Sequence, residues 1–320
     1  MRAFAAWRDG IRRVASAPGV VVAVWVATAL VSVPFAVAVR TDITRSLGAS
    51  MAADAAARGM NYEWMEEFGA HSRGLATTFR PTIVGFNAVL DNVSAYLDNA
   101  RRPLALVAAA GVYMLCWAFL SGGAIDRYAT TDAISGGRFL AACRRFFFRF
   151  VRFAIITVLV YGVAAAVLHR WMFDGAYARV VRGINVESTV FLIRVAFYLV
   201  FVLLLAAVGL VIDFAKIRAV VEDRRSVIVA LTASWRFIRH NAAAVIGVYV
   251  LNAATFALVL AAYSFVAPGG GGTGAMVWAA VFIGQAYIVG RLCVRLLFFA
   301  SEVALVQNSR PSSQRLTTGD

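Results

Sequence analysis

Six long apolar runs, almost free of charged residues, constrain this chain more than any other feature. They cover residues 20–39, 104–123, 153–169, 190–212, 242–264 and 276–298. About 20 residues of helix, rising about 1.5 Å each, cross a hydrocarbon layer about 30 Å thick. Backbone groups in lipid must also find hydrogen-bond partners within the protein, which favours helices. The runs predict an all-α polytopic membrane protein with about six transmembrane helices arranged as three hairpins.

The composition supports a membrane protein over a soluble one. Of the 320 residues, 61% are hydrophobic and 15% are charged, and the formal net charge is +14. Soluble domains are about half apolar and about a quarter charged. The arginines lie between the apolar runs, where basic residues set topology and contact anionic lipid headgroups. We therefore expect membrane lipids, with anionic headgroups on the cytoplasmic side, as partners and no binding of nucleic acid.

The distribution of basic residues predicts the orientation. With the amino terminus inside, the segments on the inner side carry 20 Lys and Arg residues and those on the outer side carry 10. Because positive residues are retained on the cytoplasmic side, both termini are predicted to be cytoplasmic. The expected location is the inner, or plasma, membrane of a bacterium.

The segments outside the apolar runs complete the predicted organisation. Residues 1–19 form a cytoplasmic amphipathic segment, residues 20–300 the membrane domain and residues 301–320 a flexible cytoplasmic tail. The outer loop 40–103 is predicted to contain a helix opened by Pro81, lying on the outer membrane surface or packed on its neighbours, with a substrate lid as the alternative. Its apolar stripe consists of Ile83, Phe86, Leu90, Val93 and Leu97.

Two inner loops resemble each other at an offset of 87 residues. Residues 125–152 and 212–239 each begin with Ile-Asp and end with an aromatic–Arg–Phe–aliphatic–Arg motif. Both are amphipathic and are predicted to lie in the headgroup plane. The predicted apolar face of the first consists of Phe139, Cys143, Phe146, Phe150 and Phe153, and that of the second of Val227, Leu231, Ser234, Trp235 and Ile238. The arginines expected to contact lipid headgroups are Arg145, Arg149, Arg152, Arg236 and Arg239. Anchoring of the adjacent spans, specific recognition of anionic lipid and docking of a soluble protein all fit this pattern.

A few polar residues lie within the apolar runs, where they need partners. The candidates for intramembrane contacts are Arg194, Asn252, Gln285, Arg291 and Arg295. Asn252 and Gln285 are predicted to lie near the midplane and to bond each other or a shared neighbour such as Tyr161. Helix packing and a transport pathway are the two interpretations of this set.

The sequence contains no pattern of residues typical of a catalytic, metal-binding or cofactor-binding site. The histidines His71, His169 and His240 are widely spaced, whereas a metal site needs clustered ligands. The glycine run 269–272 lacks the Lys-Ser/Thr that follows a phosphate-binding loop. We therefore predict no catalytic residue, no metal and no cofactor.

Two stretches of the sequence have a recognisable pattern. One is the run 213–218 followed by Ala233-Ser234-Trp235-Arg236-Phe237-Ile238-Arg239 and Asn241. The other is Gly284-Gln285-Ala286-Tyr287 followed by Arg291 and Arg295. Together they resemble a group of uncharacterised bacterial polytopic membrane proteins, including relatives of the membrane domain of glycerophosphodiester phosphodiesterases. The resemblance implies six helices and no established activity, and the soluble phosphodiesterase domain has no counterpart here.

These features together predict a non-enzymatic protein that organises, or interacts within, the inner membrane. The alternative is a transporter or permease component for a small or lipid-like solute. A membrane-embedded enzyme would need a buried pair of base and nucleophile, which the sequence does not show.

Overall fold

A computed structural model shows an all-helical chain, as the sequence predicted. The residues that it describes are 2–48, 50–59, 61–80, 82, 85–130, 135–269 and 274–309. Within them no residue lies in a β-strand. The helices are α1 (Arg2–Ala15), α2 (Pro18–Gly48), α3 (Ala53–Arg58), α4 (Tyr62–His71), α5 (Asn87–Leu97), α6 (Leu104–Ala129), α7 (Gly136–Val163), α8 (Ala178–Val180), α9 (Glu187–Val221), α10 (Val227–His240), α11 (Ala242–Val266) and α12 (Ala275–Asn308).

Five helical segments of the described chain are long and apolar enough to cross a membrane. They are α2, α6, the continuous segment Gly136–Val180, α9 and α11. This finding supports a multi-pass membrane protein. The sixth predicted span, 276–298, lies inside α12, which is a single 34-residue helix.

Several helices continue beyond the apolar runs. The third predicted span ended at residue 169, but wide π-helical turns over Ala164–Leu168 and Trp171–Tyr177 carry the helical chain on to α8. The fourth predicted span ended at residue 212, but α9 continues to Val221. No proline interrupts either extension, so the helix can continue into polar sequence.

The last helix, α12, extends past residue 300, where the predicted membrane domain ends. Residues 301–306 are buried in α12, and this helix ends at Asn308. The predicted flexible tail from residue 301 therefore begins with ordered helix, because apolar side chains such as Val303 and Leu305 have packing partners. Residues 310–320 lie outside the described residues.

The chain divides into two compact units. The first unit comprises Met1–Ala6, Ala118–Ile246 and Glu302–Asp320, and the second comprises Trp7–Trp117 and Gly247–Ser301. In the first unit, the α7 segment and α9 are antiparallel neighbours. The hydroxyl of Tyr161 donates a hydrogen bond to the carbonyl of Leu205 at 3.2 Å, and Phe153 packs near Ile212.

His169 lies in an aromatic cluster of the first unit. Its ring stacks on Phe173 with 4.5 Å between centroids and meets Phe201 edge-on at 5.3 Å. The side chain is buried. This histidine therefore contributes to packing between the α7 segment and α9.

In the second unit, α11 and α12 are antiparallel neighbours. Tyr249 contacts Phe298 edge-on at 5.2 Å, and Tyr263 stacks on Tyr287 at 4.0 Å. α1 packs on the same pair: the indole of Trp7 donates a hydrogen bond to Thr255 at 3.2 Å. A Cβ at Gly10 would approach the backbone of Ser301 to 2.8 Å, so α1 crosses α12 in close contact.

The segment that follows α2 folds against the end of that helix in the second unit. Trp64, Met65, Phe68 and Ala76 form a small buried core. The indole of Trp64 donates a hydrogen bond to Ser46 at 3.2 Å. Of the predicted loop helix, α5 contains Leu90 and Val93, both exposed, while Pro81 and Ile83 lie outside the described residues.

Candidate functional site: two arginine-bearing elbows

The first elbow, residues 118–130 and 135–152, turns α6 into α7 by close packing on glycine. Ideal Cβ atoms at Gly122 and Gly123 would lie 2.6 Å from Cβ of Phe146 and 2.4 Å from Sγ of Cys143. Only hydrogen fits at these positions. The apolar face predicted for α7 is buried throughout: Phe139, Cys143, Phe146, Phe150 and Phe153.

The second elbow, residues 212–240, uses small residues for the same purpose. The face of α10 that is buried consists of Val227, Ala230, Ala233 and Ser234. The sequence placed Trp235 on this face, but 53% of Trp235 is exposed. Because small side chains allow α9 and α10 to approach closely, the large indole is left on the other side of α10.

The two elbows share an order of elements but not a constant offset. Each has a helix end, a link and a second helix capped by a serine: Ser135 accepts a hydrogen bond from the backbone of Arg138, and Ser226 from that of Val229. The caps are 91 residues apart, four more than the sequence offset. Because four residues make about one helical turn, this difference leaves the corresponding faces of α7 and α10 in nearly the same orientation. Beyond the elbow α7 continues into a segment long and apolar enough to span a membrane, whereas α10 ends before α11.

Asp223 joins the two elbows. It accepts hydrogen bonds from Arg145 at 2.9 Å and from Arg149 at 2.6 Å. The hydrogen bond from Arg149, with the charges of Arg149 and Arg145, holds the pKa of the Asp223 carboxyl below its ordinary value. Two of the arginines predicted to contact lipid thus have a partner within the protein. The backbone at Asp223 has φ +47°, a left-handed conformation that Asp and Asn tolerate.

A second ion network stabilises the link between α9 and α10. Glu222 accepts hydrogen bonds from Arg218 and Arg224, and Arg218 also donates to the carbonyl of Ala233 at 2.6 Å. Burial acts to raise the pKa of the Glu222 carboxyl, but these hydrogen bonds and charges outweigh burial and lower it. The loop is therefore held in one conformation by charged groups from its own elements.

The remaining predicted headgroup arginines are exposed. Arg152 lies on α7, and Arg236 and Arg239 lie on α10. Within the described chain, no carboxylate forms an ion pair with any of these three. Large apolar side chains are exposed on the same two helices, namely Phe148, Ile228 and Trp235.

A groove of about 580 Å³ opens between α7 and the start of α10. It is lined by Arg152, Ile155, Ile156, Arg225, Ser226, Val227 and Ile228. Cationic side chains and aliphatic side chains thus share one concave surface. Arg225 is not among the arginines predicted to contact headgroups, although it directly precedes the α10 cap, Ser226, in the sequence.

The predicted contact between Asn252 and Gln285 is absent; each has another partner. Buried Asn252 donates to the hydroxyl of Ser301 at 2.8 Å, and Gln285 accepts from the indole of Trp25 at 3.0 Å. The contacts of Tyr249 with Phe298 and of Tyr263 with Tyr287 set the register of α11 and α12. In this register Gln285 lies about 13 residues, or about 20 Å, away from the level of Asn252.

The three arginines of the predicted spans are all exposed. Arg194 donates to the hydroxyl of Tyr198 at 2.9 Å. The guanidinium of Arg295 lies 3.7 Å from the ring centroid of Trp117, a cation–π contact. The third exposed arginine of the predicted spans is Arg291. Aromatic neighbours therefore accommodate two of the charges that the sequence placed in apolar runs.

Glu302 is a buried residue outside the predicted set of intramembrane contacts. Only 1% of it is exposed, and among the described residues neither carboxyl oxygen has a hydrogen-bond partner. The charges that act on it are those of Asp213 and Lys216, which form an ion pair at 2.9 Å. A single acid within the apolar stretch 296–306 was the signal that could have identified it.

The outer segment contains a separate pocket of about 710 Å³. Its charged lining includes both signs, with Asp42 and Glu67 beside Arg45 and Arg73. His71 also lines it, but the described chain contains no group of three residues able to hold a metal ion. The mixed charge of this pocket does not select a class of ligand.

Comparisons with known proteins return no relative. No protein-family model, no curated protein and no solved structure matches this chain. Arguments about function therefore rest on the elbows, the groove and the buried polar residues.

Proposed function

We propose that this chain is a non-enzymatic integral membrane protein that organises the cytoplasmic leaflet of a bacterial inner membrane. In this proposal the two elbows lie at the level of the lipid headgroups. Six spans in three hairpins, with α12 as the sixth, place both elbows and both termini on the cytoplasmic side. The surplus of basic residues on that side supports the orientation.

The observation that carries the proposal is the exposed surface of α10. Ile228 is 72% exposed and Trp235 is 53% exposed, and Arg236 and Arg239 are exposed on the same helix. α10 lies outside the five segments able to span a membrane. A helix that presents aliphatic, aromatic and cationic groups together matches the boundary between acyl chains and headgroups.

Spin-label depth measurements test this placement. Nitroxides are attached at Ile228→Cys and Trp235→Cys in a cysteine-free protein reconstituted in anionic vesicles. Accessibility to oxygen and to a water-soluble nickel chelate then gives the depth of each label. We expect both labels to lie between two references: Met51, the most exposed apolar residue of the outer segment, and Leu203, near the centre of α9.

The two references separate the outcomes. Labels as accessible to nickel as Met51 would place α10 in water and refute the proposal. Labels as deep as Leu203 would make α10 part of the hydrophobic bundle, which refutes it equally.

Glu302 supports a second candidate, a transporter or permease component for a small or lipid-like solute. A buried carboxyl without hydrogen bonds favours its neutral, protonated form, and buried ionisable groups often carry protons in transporters. The test is proton uptake into proteoliposomes containing a pH-sensitive dye. Transport coupled to protons requires uptake above that of empty vesicles, lost in Glu302→Gln. Equal uptake in the two proteins excludes a role for Glu302 in transport.

A further inference from the structure

The groove between α7 and α10 contains two elbow arginines that, within the described chain, have no carboxylate partner. Arg145 and Arg149 pair with Asp223, and Arg224 pairs with Glu222. Arg152 and Arg225, in contrast, line the groove, and within the described chain neither forms an ion pair with a carboxylate. Both are exposed, so their guanidinium groups are accessible to an anion.

The start of α10 adds to the positive potential of the same groove. Ser226 and Val227, which line it, are the cap and the first residue of this 14-residue helix. The first backbone N–H groups of a helix lack intrahelical partners and favour negative charge. The Ser226 side chain satisfies only the N–H of Val229. An anion in the groove thus meets two guanidinium groups and a helix amino terminus.

Apolar residues continue from the groove along α7. Ile155 lines the groove, and Leu159 and Val163 follow at intervals of four residues, on the same face. All three are more than half exposed. They lie in a segment able to span the membrane. An exposed aliphatic row inside a membrane faces acyl chains, so it extends the groove into the hydrocarbon layer.

We propose that this groove binds one anionic phospholipid, with its phosphate between Arg152 and Arg225 and an acyl chain along Ile155, Leu159 and Val163. The inference rests on the proposed placement of the elbows at the headgroups. The volume of about 580 Å³ is within the range of small-molecule sites. Charge complementarity selects the anionic headgroup, and the apolar row selects a lipid over a free anion. The bound lipid connects the two elbows through Arg152 and Arg225, as Asp223 connects them through its hydrogen bonds with Arg145 and Arg149.

Native mass spectrometry of the delipidated protein tests the site. Phosphatidylglycerol and phosphatidylcholine are added separately, and the affinity of the first bound lipid is measured. The groove variant is Arg152→Gln with Arg225→Gln. The matched control is Arg179→Gln with Arg182→Gln, which removes the same charge from exposed positions of the first unit outside the groove and both elbows. Melting temperatures establish that both variants are folded.

We expect wild-type protein to bind one phosphatidylglycerol more tightly than phosphatidylcholine. The groove variant should lose about fivefold per arginine, about 30-fold in total, which corresponds to about 1 kcal/mol per basic residue near a charged surface. The control variant should retain the wild-type affinity. Millimolar inorganic phosphate should not displace the lipid.

Three results would overturn the site. Equal losses in the groove and control variants would leave only diffuse attraction to headgroups. Equal binding of phosphatidylcholine would remove the requirement for charge. Displacement by inorganic phosphate would indicate a free-anion site. Failure of the elbow placement is seen separately, as spin labels on α10 in water, so failure of the site and failure of the placement are distinguishable.

Discussion

Gly122 and Gly123 show at the scale of one residue how α6 and α7 come together. A Cβ at Gly122 would lie 2.6 Å from Cβ of Phe146, an atom fixed to the backbone. The bulk of Phe146 is buried against this position. The helices can approach because the glycine has no side chain, and the sequence shows the glycine pair without showing what it contacts.

Gly122→Ala should therefore destabilise the protein by about 1–3 kcal/mol, since an added methyl group forces α7 away from α6. Gly111→Ala is the matched control on the same helix, because nothing lies within 4 Å of its Cβ position. The control should be neutral or stabilise by up to about 1 kcal/mol through helix propensity. Unfolding in mixed detergent micelles measures both. Equal stability of the two variants would contradict the close packing.

Asn252 illustrates which part of a polar contact the sequence predicts. Its burial and its need for a partner follow from an amide inside an apolar run. The identity of the partner does not follow, because it depends on the register of α11 against α12. Aromatic contacts such as that of Tyr249 with Phe298 set this register, and they are not visible as a motif.

A double-mutant cycle tests the observed pair. Asn252→Ala and Ser301→Ala should show a coupling of about 0.6–1.7 kcal/mol, the range of interhelical hydrogen bonds in membranes. Asn252→Ala with Gln285→Ala should show coupling near zero, because Gln285 bonds Trp25 instead. Unfolding free energies of the singles and doubles supply the values. A larger coupling to Gln285 than to Ser301 would reverse the register.

At the scale of elements, the elbows show how well an amphipathic pattern predicts which face of a helix is buried. The aromatic face of α7 was predictable because four phenylalanines and a cysteine repeat at helical spacing, and all five are buried. The face of α10 was not, because its contact with α9 is made by Ala230, Ala233 and Ser234. The hydrophobic pattern assigns Trp235 to the buried face, whereas close packing of α10 against α9 requires small residues at the contact. A pattern of apolar residues therefore identifies the helix more reliably than its buried side.

The Asp223 clamp should make the elbows sensitive to acid. The pKa of Asp223 is lower in the folded protein than in the unfolded chain, where it is about 3.9. Its stabilising contribution is therefore fully present above about pH 4 and is lost as pH falls through the lower folded value. Because the pair is half-exposed, we expect at most about 1 kcal/mol. Amide hydrogen exchange of residues 138–149 should accelerate between pH 7 and pH 3, after correction for intrinsic rates.

Asp223→Asn should remove most of this pH dependence and raise exchange already at pH 7. Asparagine tolerates the left-handed backbone at this position, so the change isolates the charge. Glu222, whose pKa is also lowered, should still contribute a loss of protection at low pH. Asp42→Asn, which breaks the ion pair with Arg45 in the second unit, is the control and should leave the elbow unchanged. A flat wild-type profile would contradict the clamp.

At the scale of the whole molecule, the sequence predicted the class of fold and the approximate positions of the helices. Apolar runs report where lipid or protein surrounds a helix, so α11 matches its predicted span within two residues at its end. They do not report where a helix stops. α9 and α12 continue beyond their apolar runs, because tertiary contacts surround charged residues such as Glu222 and Glu302 there. The candidate groove could not be predicted from the sequence, because Arg152 and Arg225 are far apart in the chain and come together only in the fold.

The number of spans and the orientation can be tested together by cysteine labelling in intact cells. Cys116, Cys143 and Cys293 are replaced by alanine, and single cysteines are placed at Met51, His240 or Asn308, all exposed. The excess of basic residues predicts that His240 is inside and Met51 is outside. An even number of spans returns Asn308 to the side of His240, whereas five spans would place it with Met51. We expect an impermeant maleimide to label Met51→Cys in intact cells, and His240→Cys and Asn308→Cys only after permeabilisation. Labelling of Asn308→Cys alone from outside would remove α12 as a span, and labelling of His240→Cys from outside would invert the molecule and place both elbows on the opposite leaflet.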